Sequence, residues 1–122
     1  MSEELKLYCV VSREAHKAAK HVPGKMYAQA GHAFIGALLE AMERFPERAQ
    51  DYIKSDATPK VTLIADEAQL HELWRLYKDK VGTALIKDAG RTVFERPTIT
   101  TLGIGPILPS EREELLASLR PL

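Results

Sequence analysis

The chain has 122 residues, 45% hydrophobic and 28% charged, which is enough to bury one core without disulfides or a structural metal and excludes an intrinsically disordered chain. Its seventeen basic and seventeen acidic residues remove any argument for nucleic acid from overall charge, so such a case must rest on local clusters. The single Cys9 lies in the apolar run Leu7 to Val11 and has no internal partner, no run approaches membrane-spanning length, and the start Met1 to Lys6 lacks signal-peptide character; a cytoplasmic, membrane-free protein is expected.

Leu5 to Ser12 is rich in β-favouring residues and reads as a mostly buried strand. A polar connection follows, running to Pro23-Gly24. It carries Arg13, Lys17, Lys20 and Lys25 with His16 and His21 against one acid, Glu14, the best local candidate for a phosphate-facing patch. From Pro23-Gly24 to about Phe45, Met26, Ala30, Ala33, Phe34, Ala37, Leu38 and Ala41 recur at helical spacing. Pro46 ends that helix and opens a short one to Ser55.

Lys60 to Ala65 is a second strand, and Asp66 caps a helix from about Glu67 to Lys80 with Leu70, Leu73, Trp74 and Tyr77 on its core face. Gly82 stops it. Thr83 to Lys87 and Thr98 to Ile104 read as strands, Gly105-Pro106 as a turn, and Glu111 to about Leu119 as a last helix capped by Ser110. The order β-α-α-β-α-β-β-α predicts an α/β sandwich, one mixed sheet flanked by helices in a single domain over residues 1–122.

Phosphate-binding glycine loops, Gly-x-Ser-x-Gly and Cys-x-x-Cys are absent, and His16, His21 and His71 lack the spacing of a three-histidine site. Neither a cofactor nor a metal is expected. Three segments carry site-like character. In Gly24-Lys25-Met26-Tyr27-Ala28-Gln29-Ala30-Gly31-His32-Ala33, Lys25, Gln29, His32 and Gly36 fall on one stripe near a helix N-terminus, a row suited to a phosphate or a developing oxyanion. In Asp88-Ala89-Gly90-Arg91-Thr92, Asp88 and Thr92 flank a small-residue turn where a carboxylate can accept backbone amides or orient a water, and Gly90 allows close backbone approach. In Thr100 to Pro106, Gly103 and Gly105 suggest close packing or a bulge. Singly, each has an ordinary structural explanation.

Together and in this order, the three segments resemble the type II peptidyl-tRNA hydrolases of archaea and eukaryotes. The resemblance implies an α/β sandwich on a four-stranded mixed sheet, often dimeric, that hydrolyses the ester joining a peptide to the acceptor end of tRNA without a cofactor. It places the catalytic residues at Lys25, Asp88 and Thr92, with Gln29, His32, Gly90 and Arg91 binding substrate. The chain departs from the family pattern before the helix: Arg13-Glu14-Ala15-His16 replaces the usual Arg-x-Asp-Leu-x-Met, Pro23 stands where a second lysine is common, and Tyr27-Ala28-Gln29 replaces Ala-Ala-Gln.

The expected mechanism is direct attack by water, which Asp88 orients or deprotonates while Lys25 stabilises the oxyanion, with no covalent intermediate. Lys25 and Asp88 are therefore expected to meet in the fold, and the Arg13 to Lys25 segment to share a face with Arg91. Two other readings fit the same residues: a non-catalytic homologue binding tRNA, another nucleic acid or a protein, and a hydrolase of a different small ester or amide.

Overall fold

Strand β1 (Lys6–Ser12) is apolar on both sides, so helices must cover both faces of any sheet that holds it at the centre. The computed structural model describes residues 3–122 and shows that arrangement. Tyr8 and Val10 point into one core with Leu63, Leu70, Leu73, Tyr77, Leu102, Ile104 and Leu116, while Leu7, Cys9 and Val11 point into the opposite one with Met26, Ala33, Ala37 and Tyr52. The remaining elements follow as α1 (Arg13–Ala18), α2 (Pro23–Arg44), α3 (Pro46–Lys54), β2 (Lys60–Ala65), α4 (Glu67–Tyr77), β3 (Thr83–Asp88), β4 (Thr98–Ile107), a 3-10 turn (Pro109–Glu111), α5 (Glu114–Ala117) and β5 (Arg120–Pro121).

The sheet has the order β3-β4-β1-β2-β5. β1 runs parallel to β2 and antiparallel to β4, and β4 is antiparallel to β3. It is mixed, as expected, but has five strands rather than four. The fifth, β5, lies along β2, pairing Ile64 with Arg120 and Leu63 with Pro121. Two residues cannot announce themselves as a strand. Buried Leu116, with Leu115 and Leu119 against the same core, carries the chain past the open edge of β2, which it then covers.

Three other expectations are corrected. The connection after β1 contains α1, capped by the Ser12 hydroxyl, which accepts the Ala15 amide at 3.1 Å, and held down by buried Ala15 and Ala19. β4 continues through Gly105-Pro106 to Ile107 instead of turning. Gly105 takes a φ of +125°, and the pairing with β1 shifts register between Lys6 and Tyr8, so a bulge absorbs the irregular pair. The last helix is broken into the 3-10 turn and α5, and Ser110 does not cap it. The Ser110 amide and hydroxyl instead donate to the Glu3 carboxylate, and Glu111 is held by both guanidinium nitrogens of Arg48. The Asp66 cap of α4 is present, with Gln69 completing a capping box.

Helix α2 packs onto the sheet through small residues on both surfaces, backbone against backbone at Gly103 and Gly82. Its inward row includes Ala33, Ala37 and Ala41, all fully buried, and it rides over Gly103 of β4 and Gly82. A Cβ on Gly103 would overlap the Ala33 carbonyl, backbone that cannot step aside as a flexible side chain could. Gly103→Ala should therefore lower stability by about 1–3 kcal/mol, the usual range for overpacking, read as a lower urea midpoint. An unchanged midpoint would mean that α2 is not clamped at this point.

Candidate active site

The close seat of α2 decides where its first turn delivers Lys25. Pro23 occupies the helix start, where its missing amide costs nothing, and Lys25 follows within the same turn. β3 ends beside that turn at Asp88. The two side chains meet as expected: Lys25 Nζ lies 2.6 Å from Asp88 Oδ1, with the lysine side chain 19% and the carboxylate 11% exposed. Lys25 Nζ also donates to Thr92 Oγ1 at 3.4 Å and stands 6.0 Å from the centroid of the Phe94 ring.

The turn from Asp88 to Pro97 has no regular structure and is tied at two points. The Gly90 amide donates to Asp88 Oδ2 at 2.8 Å, so the two carboxylate oxygens divide between the lysine and the backbone. Phe94, buried with Met26, Cys9 and Val11, plugs the turn into the core below α2. Gly90 has a φ of +78°, and a side chain there would collide with the Arg96–Pro97 backbone, so the close approach that this glycine permits is to its own turn. Thr92 bonds the lysine rather than the carboxylate.

Gln29, one turn beyond Lys25, is almost fully buried. Thr100 Oγ1 donates to its Oε1 at 2.6 Å, and Thr101 Oγ1 donates to its backbone carbonyl at 3.0 Å. With Oε1 taken up, the amide nitrogen is left to donate. Gln29 lines a recess of about 370 Å³ together with exposed His32, Ile86, Lys87, Asp88 and Ala89. The recess thus offers an amide, an imidazole and the Asp88 carboxylate, with Lys25 behind that carboxylate. Among the described residues His32 and Arg91 make no ion pair or side-chain hydrogen bond, and Arg91 is exposed in the turn. Thr100, Thr101 and Phe94 were not singled out from sequence as site residues. Two adjacent hydroxyls in an otherwise apolar strand were the available signal for the first two, because buried hydroxyls need partners.

The Asp88 carboxyl is held below its ordinary value of 3.8, first by the Lys25 hydrogen bond and then by the Gly90 amide, against a smaller opposing effect of burial. Asp88 is therefore ionised at neutral pH, and the Lys25 side chain beside it keeps 19% of its surface exposed.

Exposed Arg13, His16, Lys17, Lys20 and His21 lie at the end where β1 and β3 finish, the end that also holds Lys25, Asp88 and Arg91. A second recess of about 670 Å³ joins α1 to the Val93–Ile99 stretch of the turn. The opposite end, where β1 starts and β4 finishes, carries Glu3, Glu4, Glu47 and Asp51 around a larger groove of about 830 Å³. Glu14, Glu67 and Glu95 also line the second recess and Arg48 the larger groove, so both ends carry charges of both signs. No group of His, Cys, Asp and Glu among the described residues is arranged to hold a metal ion, and no described helix is long and apolar enough to cross a membrane.

Residues 5–122 match the family described as peptidyl-tRNA hydrolase PTH2. The chain is 38% identical over 92 residues to a peptidyl-tRNA hydrolase of Methanopyrus kandleri, covering 75% of each protein. To those of Methanocaldococcus jannaschii and Methanococcus vannielii it is 29% identical over 100 residues and 34% identical over 97. These alignments cover 81% and 79% of this chain and 87% and 80% of the relatives.

The ion pair has a consequence for acid. A carboxylate with a depressed pKa contributes stability that is present above the unfolded value and lost as pH falls through the lower folded value. An NMR titration should give Asp88 a midpoint below 3.8, and Lys25→Ala should move it upward. A midpoint at or above the ordinary value in the intact protein would show that the pair does not persist in solution.

Proposed function

Because the chain belongs to the peptidyl-tRNA hydrolase PTH2 family, we propose that the Lys25–Asp88 pair is the catalytic centre at which it hydrolyses the ester of peptidyl-tRNA. The observation that carries this reading is the 2.6 Å contact between a lysine at a helix N-terminus and a carboxylate at a strand end, both partly open to solvent beside a recess.

Water adds to the ester carbonyl carbon, the oxygen of that carbonyl becomes an oxyanion, and the bond to the ribose oxygen breaks. The water's proton ends on the departing ribose hydroxyl, giving free tRNA and a peptide with a free carboxyl group. Asp88 is a poor proton acceptor, since Lys25 and the Gly90 amide depress its pKa, so its role is to orient the water and anchor the lysine. Lys25 supplies the positive charge for the oxyanion, at the start of α2, where the helix dipole adds to the field. Thr92 limits the lysine's rotation. The Gln29 amide nitrogen, fixed by Thr100, and His32 hold the scissile ester from the recess side, and Gly90 and Arg91 present the turn to the ribose-phosphate end.

The ligand in this reading is the acceptor end of peptidyl-tRNA, met by the cations of the Arg13–Lys25 segment and Arg91. The working form is a cytoplasmic homodimer. Phosphate contacts release counterions, so tRNA affinity should fall steeply as salt rises from low to physiological concentration. A salt-independent affinity would point to a ligand other than nucleic acid.

Asp88→Asn and Lys25→Ala should each reduce release of the blocked amino acid from an N-acetylaminoacyl-tRNA by a factor of about 10² or more, with the circular dichroism spectrum unchanged. Wild-type turnover in either folded variant would remove the pair from the mechanism. Absence of turnover in the unaltered chain would instead favour the non-catalytic reading.

A further inference from the structure

Strand β3 is an edge of the sheet. Among the described residues it pairs with β4 alone, and it runs towards the site, ending at Asp88. The outer side of such a strand carries amides and carbonyls that need a partner or water. The Thr83 amide donates to Glu40 Oε1 of α2 at 2.9 Å rather than to β4. Successive residues of an antiparallel strand alternate in the side to which they turn their backbone groups, so Leu85 and Lys87 turn theirs outward as Thr83 does, and Ala84 and Ile86 turn theirs to β4. The Ile86 carbonyl agrees, since it accepts from Thr100 Oγ1 of β4 at 3.4 Å. Between Ile86 and Lys87 the register skips Thr100, so the extra residue belongs to β4 and the alternation on β3 continues.

Helix α2 covers the face of β3 but leaves this edge open. It runs antiparallel to the strand. Lys25 meets Asp88, Gln29 and His32 border the recess whose other wall is Leu85 to Ala89, and Glu40 holds Thr83. Between these points a Cβ added at Gly36 would stand 2.7 Å from the Cβ of Ala84, so the glycine brings helix and strand together. The stripe Lys25, Gln29, His32 and Gly36 thereby flanks a track alongside β3, which begins at the site and ends where Glu40 takes the Thr83 amide. Leu85 to Ala89 are all half-buried or exposed, in keeping with an edge that a second strand can reach.

We propose that the peptide of peptidyl-tRNA lies in this track as an added strand parallel to β3, its ester at the Lys25–Asp88 pair and its backbone bonded to the outward amides and carbonyls of Leu85 and Lys87. This rests on the proposed function and names how that site holds the peptide. The direction follows from the chemistry: the esterified end of the peptide is its C-terminus, and the site stands at the C-terminal end of β3. An added strand suits a peptide of no fixed sequence, because main-chain hydrogen bonds are common to all residues. Each bonded residue of the peptide uses both its amide and its carbonyl, and the residue after it uses neither.

N-acetylated alanine peptides of increasing length, esterified to tRNA, should show a kcat/KM that rises and then levels off at about four residues, the stretch from Leu85 to Asp88. N-methylalanine placed at one position at a time should lower kcat/KM in alternation, by about three- to tenfold at bonded positions, the effect of one lost hydrogen bond, and little at those between. Equal losses at every position, or none, would overturn the added strand. Absence of turnover with all of these substrates would contradict the proposed hydrolysis instead, and amide exchange followed by NMR on the full chain then decides for the track. With acetyl-tetraalanine at millimolar concentration, exchange at Leu85 and Lys87 should slow. Exchange that the peptide does not change, or that is already slow without it because a second copy of the chain occupies the edge, would overturn the proposal.

Discussion

The architecture of this protein depends on how closely one helix lies on one strand. Gly103 allows the Ala33 carbonyl of α2 to approach the backbone of β4, and the row of alanines around it keeps the helix at that distance along its length. Close-packed interiors transmit such constraints with little slack. Given the seat of α2, Lys25 in its first turn reaches the end of β3, and Gln29 enters the sheet far enough for Thr100 and Thr101 to bond its amide and its carbonyl. A bulkier residue at Gly103 would lift the helix and disturb all three contacts at once.

The site is electrostatic in character. A lysine and a carboxylate neutralise one another while keeping their charges, and the Gly90 amide takes the second carboxylate oxygen, so neither group is left with an unmet demand. An ionised acid of depressed pKa positions a water better than it removes a proton, and a lysine held at a helix N-terminus is already in place when negative charge develops. The exposed cations of α1 and Arg91 stand at the same end of the sheet as the site, interleaved with Glu14, Glu67 and Glu95, so any pull on an anionic substrate comes from these local cations and not from a face of one sign.

Much of the fold was legible in the sequence because its elements carry strong local signals. The doubly apolar β1, the helical period from Met26 to Ala41, the Asp66 cap and the proline starts of α2 and α3 each have a physical cause within a few residues. What escaped was set at long range. Helix α1 is short and polar, and buried Ala15 and Ala19 hold it. β5 exists because β2 has an edge to cover. The C-terminal helix is interrupted because Arg48, distant in sequence, holds Glu111. At the site, the resemblance of three segments taken together selected Lys25, Asp88 and Thr92, and the structure brings them into contact. Phe94 was out of reach for a different reason: a phenylalanine in a turn gains its role from what it touches, and on α2 it meets Lys25 and Met26.

The central claim is that Lys25 and Asp88 act as one unit, and a double-mutant cycle on kcat/KM for peptidyl-tRNA hydrolysis tests it most directly. Residues that work only as a pair predict that Lys25→Ala combined with Asp88→Asn is scarcely slower than the worse of the two single variants. Losses that simply multiply would mean that the two side chains contribute independently, and the 2.6 Å contact between them would then be structural rather than catalytic.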